Sequence, residues 1–96
     1  MLEVEQTEEF EAWLADLRDR RAAARIAARI DRLRLGNAGD VEPVGGGVSE
    51  MRIHYGPGYR VYFTATGEKV RLLLCGGDKS TQRADIRRAL DIASEL

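Results

Sequence analysis

Two arginines sit in neighbouring segments of alternating polar and apolar residues. Arg52 lies in Val48–Tyr55 and Arg60 in Tyr59–Thr66, with the turn Gly56-Pro57-Gly58 between them. Residues two apart on a strand share a sheet face. That parity predicts Glu50, Arg52, His54, Arg60 and Tyr62 on one face, and Met51, Ile53, Tyr55, Tyr59, Val61 and Phe63 on the other. Arg71 on the next segment, and Lys79 and Arg83 beyond it, could join the first group. Fixed cations of this kind suit a phosphodiester, because they also stabilise the added negative charge of a five-coordinate phosphorane. RNA supplies its own nucleophile, the 2′-OH. Cleavage then requires a base for that proton, an acid for the leaving 5′-oxygen and cations around the phosphate. No metal and no cofactor is required, and the chain offers no dense carboxylate cluster to hold a metal. An imidazole can give or take a proton near neutral pH, so His54 suits either proton-transfer role. Glu50 could act as a base or could orient Arg52. Tyr62, on the arginine face, could stack on a nucleobase.

Blander roles compete with these. His54 could be a surface strand residue, and Glu50–Arg52 an exposed ion pair. Cys75, inside an apolar segment, reads as a buried, unreactive thiol. Gly45-Gly46-Gly47 resembles a phosphate loop but lacks the Lys-Ser/Thr and the strand–helix setting, so it reads as a flexible entry to a strand.

The chain as a whole limits the possibilities. Ninety-six residues predict one domain spanning 1–96. With 44% hydrophobic and 32% charged residues, the composition is that of a globular chain. A single cysteine excludes an internal disulfide, and one Cys with one His excludes a Cys/His zinc site. The start, Met1-Leu2-Glu3-Val4-Glu5, lacks the features of a signal peptide, and no apolar run is long enough to span a membrane. A cytoplasmic location without membrane partners is therefore expected. The net charge of −1 conceals a segregation. Glu3, Glu5, Glu8, Glu9, Glu11 and Asp16 precede the first base, Arg18; Arg20, Arg21, Arg25, Arg29, Arg32 and Arg34 then follow. Arginine, with its rigid fork of donors, favours phosphate or carboxylate partners.

The elements that must carry these residues can be read from periodicity. Leu2–Gln6 alternates as a short strand. Thr7 is a candidate N-cap for a helix with Phe10, Trp13, Leu14 and Leu17 on one stripe. Ala22, Ala23, Ile26, Ile30 and Leu33 form the stripe of a second helix, joined near Asp19–Arg20 and stopped at Gly36-Asn37-Ala38-Gly39-Asp40. Val48–Tyr55, Tyr59–Thr66 and Val70–Cys75 follow as strands, and Gly76-Gly77-Asp78-Lys79 as a loop. A final helix is capped by Ser80 or Thr81, with Ile86, Ala89, Leu90 and Ala93 inward. The order β-α-α-β-β-β-α predicts an α+β fold: a helical hairpin on one face of a four-stranded antiparallel sheet, with a C-terminal helix.

The string Glu50-Met-Arg-Ile-His-Tyr-Gly-Pro-Gly-Tyr-Arg60, with Leu72-Leu-Leu-Cys-Gly-Gly-Asp-Lys-Ser-Thr-Gln82 and Asp85-Ile86, resembles the addiction-module killer proteins, a HigB-like branch of the RelE/ParE toxin superfamily. Trp13-Leu14, Arg29-Ile30-Asp31-Arg32-Leu33 and Gly36–Asp40 extend the likeness over almost the whole chain. The resemblance implies a RelE-like fold and ribosome-dependent, metal-independent mRNA cleavage. It also implies neutralisation by a cognate antitoxin, often a HigA-like helix-turn-helix protein through which the complex binds operator DNA. By position it implies phosphate-binding and transition-state roles for Arg52, Arg60 and Lys79, with Gln82 and Arg83 as weaker matches. The chain departs from RelE in having no tyrosine after Tyr62, which leaves His54 or Glu50 as substitutes in proton transfer. Two other readings share the fold: a ParE-like inhibitor of DNA gyrase, and a non-catalytic module that only binds an antitoxin.

Overall fold

The computed structural model describes residues 1–96. Strand β1 (Glu3–Gln6) leads into helix α1 (Glu8–Asp16) and helix α2 (Arg20–Arg34). Strands β2 (Val41–Gly45), β3 (Val48–Ile53), β4 (Tyr59–Ala65) and β5 (Val70–Gly77) follow. A short 3-10 turn, Lys79–Thr81, then enters helix α3 (Gln82–Ser94).

Local chemistry accounts for the helix limits. The Thr7 hydroxyl accepts from the Phe10 N–H at 3.0 Å and donates to the Leu74 carbonyl at 2.6 Å, so one side chain caps α1 and ties it to β5. Asp19 caps α2 by accepting from the N–H groups of Arg21 and Ala22. At the other end Gly36, at φ +87°, lets its own N–H reach the Leu33 carbonyl and the Asn37 N–H reach that of Arg32. Thr81 occupies the cap position of α3, yet its hydroxyl donates to Asp85 rather than accepting from the helix backbone.

The sheet is five-stranded, in the order β1-β5-β4-β3-β2. It is mixed, because β1 runs parallel to β5 while the other pairs are antiparallel. This corrects the expected four-stranded antiparallel sheet on two counts. The hairpin α1–α2 carries the chain across one face, so β1 and β5 enter side by side in the same direction. The additional strand, β2, contains Pro43, which argues against an interior strand. It is tolerated here because β2 is an edge strand, paired only with β3. Gly45-Gly46-Gly47, expected as a loose strand entry, makes the tight β2–β3 connection with all three residues at positive φ.

The helices cover both faces. Against α1 and α2 lie Phe10, Ile26, Ile30, Leu33, Met51, Ile53, Val61, Phe63 and Leu73. Against α3 lie Val48, Tyr62, Leu74, Cys75 and Ala89. The face expected to be open to a substrate is thus half occupied by α3. The strand β5 runs two residues beyond the expected end at Cys75, and Trp13 packs directly on Gly76.

Candidate functional site

Register places Arg52 directly opposite Arg60, and Glu50 opposite Tyr62, on the α3 face of β3 and β4. Two guanidinium groups across one ladder repel. The sequence resolves this with Glu50. One carboxylate oxygen accepts from Arg52 Nε at 3.2 Å. The other accepts from the Tyr62 hydroxyl and from Gln82 Nε2, both at 2.9 Å, and stands 3.8 Å from Arg60 Nε. Glu50 is 1% exposed. Burial pushes its carboxyl up, but the bonds from Gln82, Tyr62 and Arg52, together with the charge of Arg60, hold it below its ordinary range. Glu50 is therefore an anchored anion with its lone pairs engaged. Of its two expected roles, the arrangement is that of a residue orienting Arg52 rather than a base within reach of a substrate.

Tyr62 has no exposed surface. Burial, and then the bond to Glu50, raise its hydroxyl far above the ordinary phenol value. The expected stacking of Tyr62 on a nucleobase is corrected: the ring lies beneath α3 with no exposed surface, and its hydroxyl is bonded to Glu50.

Arg60 lies at the Gly58 turn. Its Nη1 donates to the Gly58 carbonyl at 2.5 Å, and its Nε is buried without a hydrogen-bond partner. Gly58, at φ +80°, is close to both Arg60 Nη1 and Lys79 Cβ, so these two residues flank the same turn. The Lys79 N–H reaches the Pro57 carbonyl at 3.4 Å. Arg60, Lys79, Gln82 and Arg52 thus gather at one end of the sheet. No cavity opens between them; the cluster is a surface.

The remaining candidates lie elsewhere. Arg71 pairs with Ala65 and Val4 near the opposite end of β5 and donates to the carbonyls of Gly67, Glu68 and Val70, closing the β4–β5 turn. Its expected place beside Arg60 is corrected by this register. Arg83 is exposed on the first turn of α3. His54 is 76% exposed beyond the end of β3, and its Nε2 meets Asp40 at 2.5 Å. That bond is the main cause holding the Asp40 carboxyl below its ordinary value. Cys75 is buried, and burial pushes its thiol up to about 12.

Charge balance on this face differs from expectation. Arg52 is matched by Glu50, by Glu42 on β2, and by Asp40 at 4.0 Å. Glu42 lies on the unanticipated strand β2, and Asp40 immediately precedes it. Asp40-Val41-Glu42 alternates polar and apolar residues, but Pro43-Val44 breaks the alternation and so hides the strand. Beside His54, a groove of about 270 Å³ lies between α2 and the end of β3, lined by Arg25, Ala28, Arg29, Arg32, Ile53 and His54. Arg29 donates from its floor to the carbonyls of Arg52, Ala38 and Asp40.

Comparison with known proteins places the chain in a family. The model described as "Phage derived protein Gp49-like (DUF891)" matches residues 12–96. An uncharacterised protein of Haemophilus influenzae is 47% identical over 95 residues, which cover 99% of this chain and 96% of that protein. No solved structure matches the chain. On the extent of these matches, the protein belongs to the phage-derived Gp49-like family.

Proposed function

We propose that the protein is the toxin of a toxin–antitoxin pair and acts as a ribosome-dependent mRNA endonuclease in the cytoplasm. The toxin-like, RelE/HigB-type character of the Gp49-like family supports the first part. The single observation supporting the second is the pairing of Arg60 and Lys79 across Gly58, with Arg60 backed by the buried carboxylate of Glu50. A surface rather than a pocket suits an extended RNA strand. In this reading the RNA 2′-OH attacks the adjacent phosphorus, the P–O5′ bond breaks, and a 2′,3′-cyclic phosphate and a 5′-OH result. Arg60 and Lys79 stabilise the phosphorane, and Glu50, Tyr62 and Gln82 fix the arginine geometry. His54, the chain's one imidazole, stands at Asp40 and takes the proton of the attacking 2′-OH, while water protonates the leaving 5′-oxygen. A cognate antitoxin, of the helix-turn-helix kind that binds operator DNA, is the expected neutralising partner.

The test is in vitro translation of a reporter mRNA with purified protein. Site-specific cuts with cyclic phosphate ends, seen only with ribosomes and lost in Arg60→Ala, are expected. Intact mRNA at concentrations that halt translation would overturn the nuclease reading.

One observation favours a second reading. Arg52 is already surrounded by three carboxylates, which makes the face less cationic than a phosphate site needs. A ParE-like gyrase inhibitor needs no such site. Inhibition of gyrase supercoiling by the purified protein, with intact mRNA, would establish that reading instead.

A further inference from the structure

The outer face of α2 carries cations that the Arg60–Lys79 cluster does not use. Arg21, Arg25 and Arg32 are exposed, and no carboxylate lies within ion-pair distance of any of them. The nearby acids are engaged elsewhere: Asp31 pairs with Arg34, Asp19 caps the helix, and Asp40 holds His54. Arg25 is fixed with its guanidinium 4.6 Å from the Tyr55 ring centroid. Between the arginines stand Ala24 and Ala28, so the helix surface is low there. Two grooves adjoin along it and share Arg25 and Ala28. One runs past Arg21 and Ala24, the other past Arg29 and Arg32 to His54.

We propose that this track along α2, from Arg21 through Arg25 and Arg32 to His54, binds the phosphate backbone of a single-stranded polynucleotide. The inference goes beyond the cleavage reading and holds whether or not the bound strand is cut. Spacing supports it: Arg21 to Arg25 spans about 6 Å along the helix axis and Arg25 to Arg32 about 10.5 Å. The cations therefore repeat along a line, as phosphates do. A peptide would need an apolar anchor, and the floor offers only alanine methyls with the edge of Ile53. The track also connects to the first cluster. His54 and Arg52 share Asp40, and Arg29 donates to the Arg52 carbonyl, so one strand can pass from the α2 groove over the β3 end towards Arg60.

Binding is measured by fluorescence anisotropy with a labelled, 2′-O-methylated single-stranded RNA, which lacks the nucleophile and cannot be cut. The double variant Arg25→Glu/Arg32→Glu is expected to bind roughly tenfold more weakly. Its slope of log affinity against log salt should be shallower by about 1.4, at about 0.7 per lost phosphate contact. Lys69→Glu/Arg87→Glu, a double reversal at exposed positions off α2, matches the change in net charge and controls for it. Equal weakening in that control, unchanged binding in the double variant, or equally effective competition by polyglutamate would each overturn the proposal. Circular dichroism of both variants checks the fold, and the substituted side chains are exposed. Loss of RNA binding in the α2 double variant with gyrase inhibition retained, or RNA binding by the parent protein without ribosomal cleavage, would sustain the track and sink only the nuclease reading.

Discussion

The Tyr62 hydroxyl donates to the Glu50 carboxylate at 2.9 Å, and both side chains are buried between the sheet and α3. A hydrogen bond to a buried anion contributes more than a neutral one, about 1.5–3 kcal/mol. Tyr62→Phe keeps the ring and removes this donor, leaving Gln82 alone on that oxygen apart from the distant Arg60. The variant is expected to lose stability by about that amount in urea unfolding. A loss under half a kilocalorie, roughly the noise of such a measurement, would mean that Glu50 is held without Tyr62.

The same carboxylate makes stability depend on pH. In the folded chain the Glu50 carboxyl titrates below its ordinary value, so the unfolded chain takes up the proton first. Its contribution is complete above the ordinary carboxylate range and disappears as pH falls through the depressed value. Glu50→Gln should therefore be most destabilising near neutral pH, and the gap to the parent should narrow in acid. Urea midpoints measured across that range test this; a constant gap would show that Glu50 titrates alike in the folded and unfolded chain, and a gap that widens in acid would show that burial outweighs its bonds.

How much of this was legible in the sequence differs by element. Strand parity correctly grouped Glu50, Arg52, Arg60 and Tyr62 because alternation fixes which side a residue faces. It gives no depth, so whether α3 would lie over Tyr62 could not be read. The face that Arg71 takes depends on β4–β5 register: a bulge between Tyr62 and Phe63 shifts it, so that Arg71 pairs with Ala65, in step with Phe63 and Leu73 on the α1–α2 side, rather than on the Arg60 face. Strand β2 was hidden by Pro43, whose missing N–H matters only where a second neighbour exists. Its acid Glu42, which meets Arg52, was hidden with it, as was the position this strand gives to Asp40 just before it.

If phosphate must compete with those acids for Arg52, removing one should help. Glu42 is exposed on the edge strand, and an exposed pair contributes little to stability. Glu42→Gln is expected to leave the urea midpoint unchanged while raising ribosome-dependent cleavage severalfold. Reduced cleavage would mean that Glu42 positions Arg52 rather than masking it.

Charge without geometry should not suffice at Arg60. Its Nη1 reaches the Gly58 carbonyl and its Nε is buried beside Glu50, so Nη2 is the nitrogen of the fork left to meet substrate. Lysine keeps the charge but has no fork. Arg60→Lys should lower the single-turnover cleavage rate about 10²-fold, the scale of losing one oriented transition-state donor. An unchanged rate would reduce Arg60 to a bulk electrostatic role.

Neighbouring glycines at the end of β5 should respond differently to the same methyl. A Cβ on Gly76 would meet the six-membered ring of Trp13, with Cδ2 2.7 Å away. That ring packs against Phe10 and Tyr59, at centroid distances of 5.7 and 6.3 Å, so moving it disturbs both contacts. A Cβ on Gly77 would meet the Asp85 carboxylate and come 3.0 Å from Thr81 Oγ1. Asp85 is the end of a flexible side chain and can swing away, losing only its bond with Thr81. Gly76→Ala is therefore expected to cost about 1–3 kcal/mol through overpacking, and Gly77→Ala clearly less. Trp13→Leu in the Gly76→Ala background should recover part of the loss, read as a coupling energy in a double-mutant cycle. Additive losses at Trp13 and Gly76 would show that the strand, rather than the indole, sets the limit there.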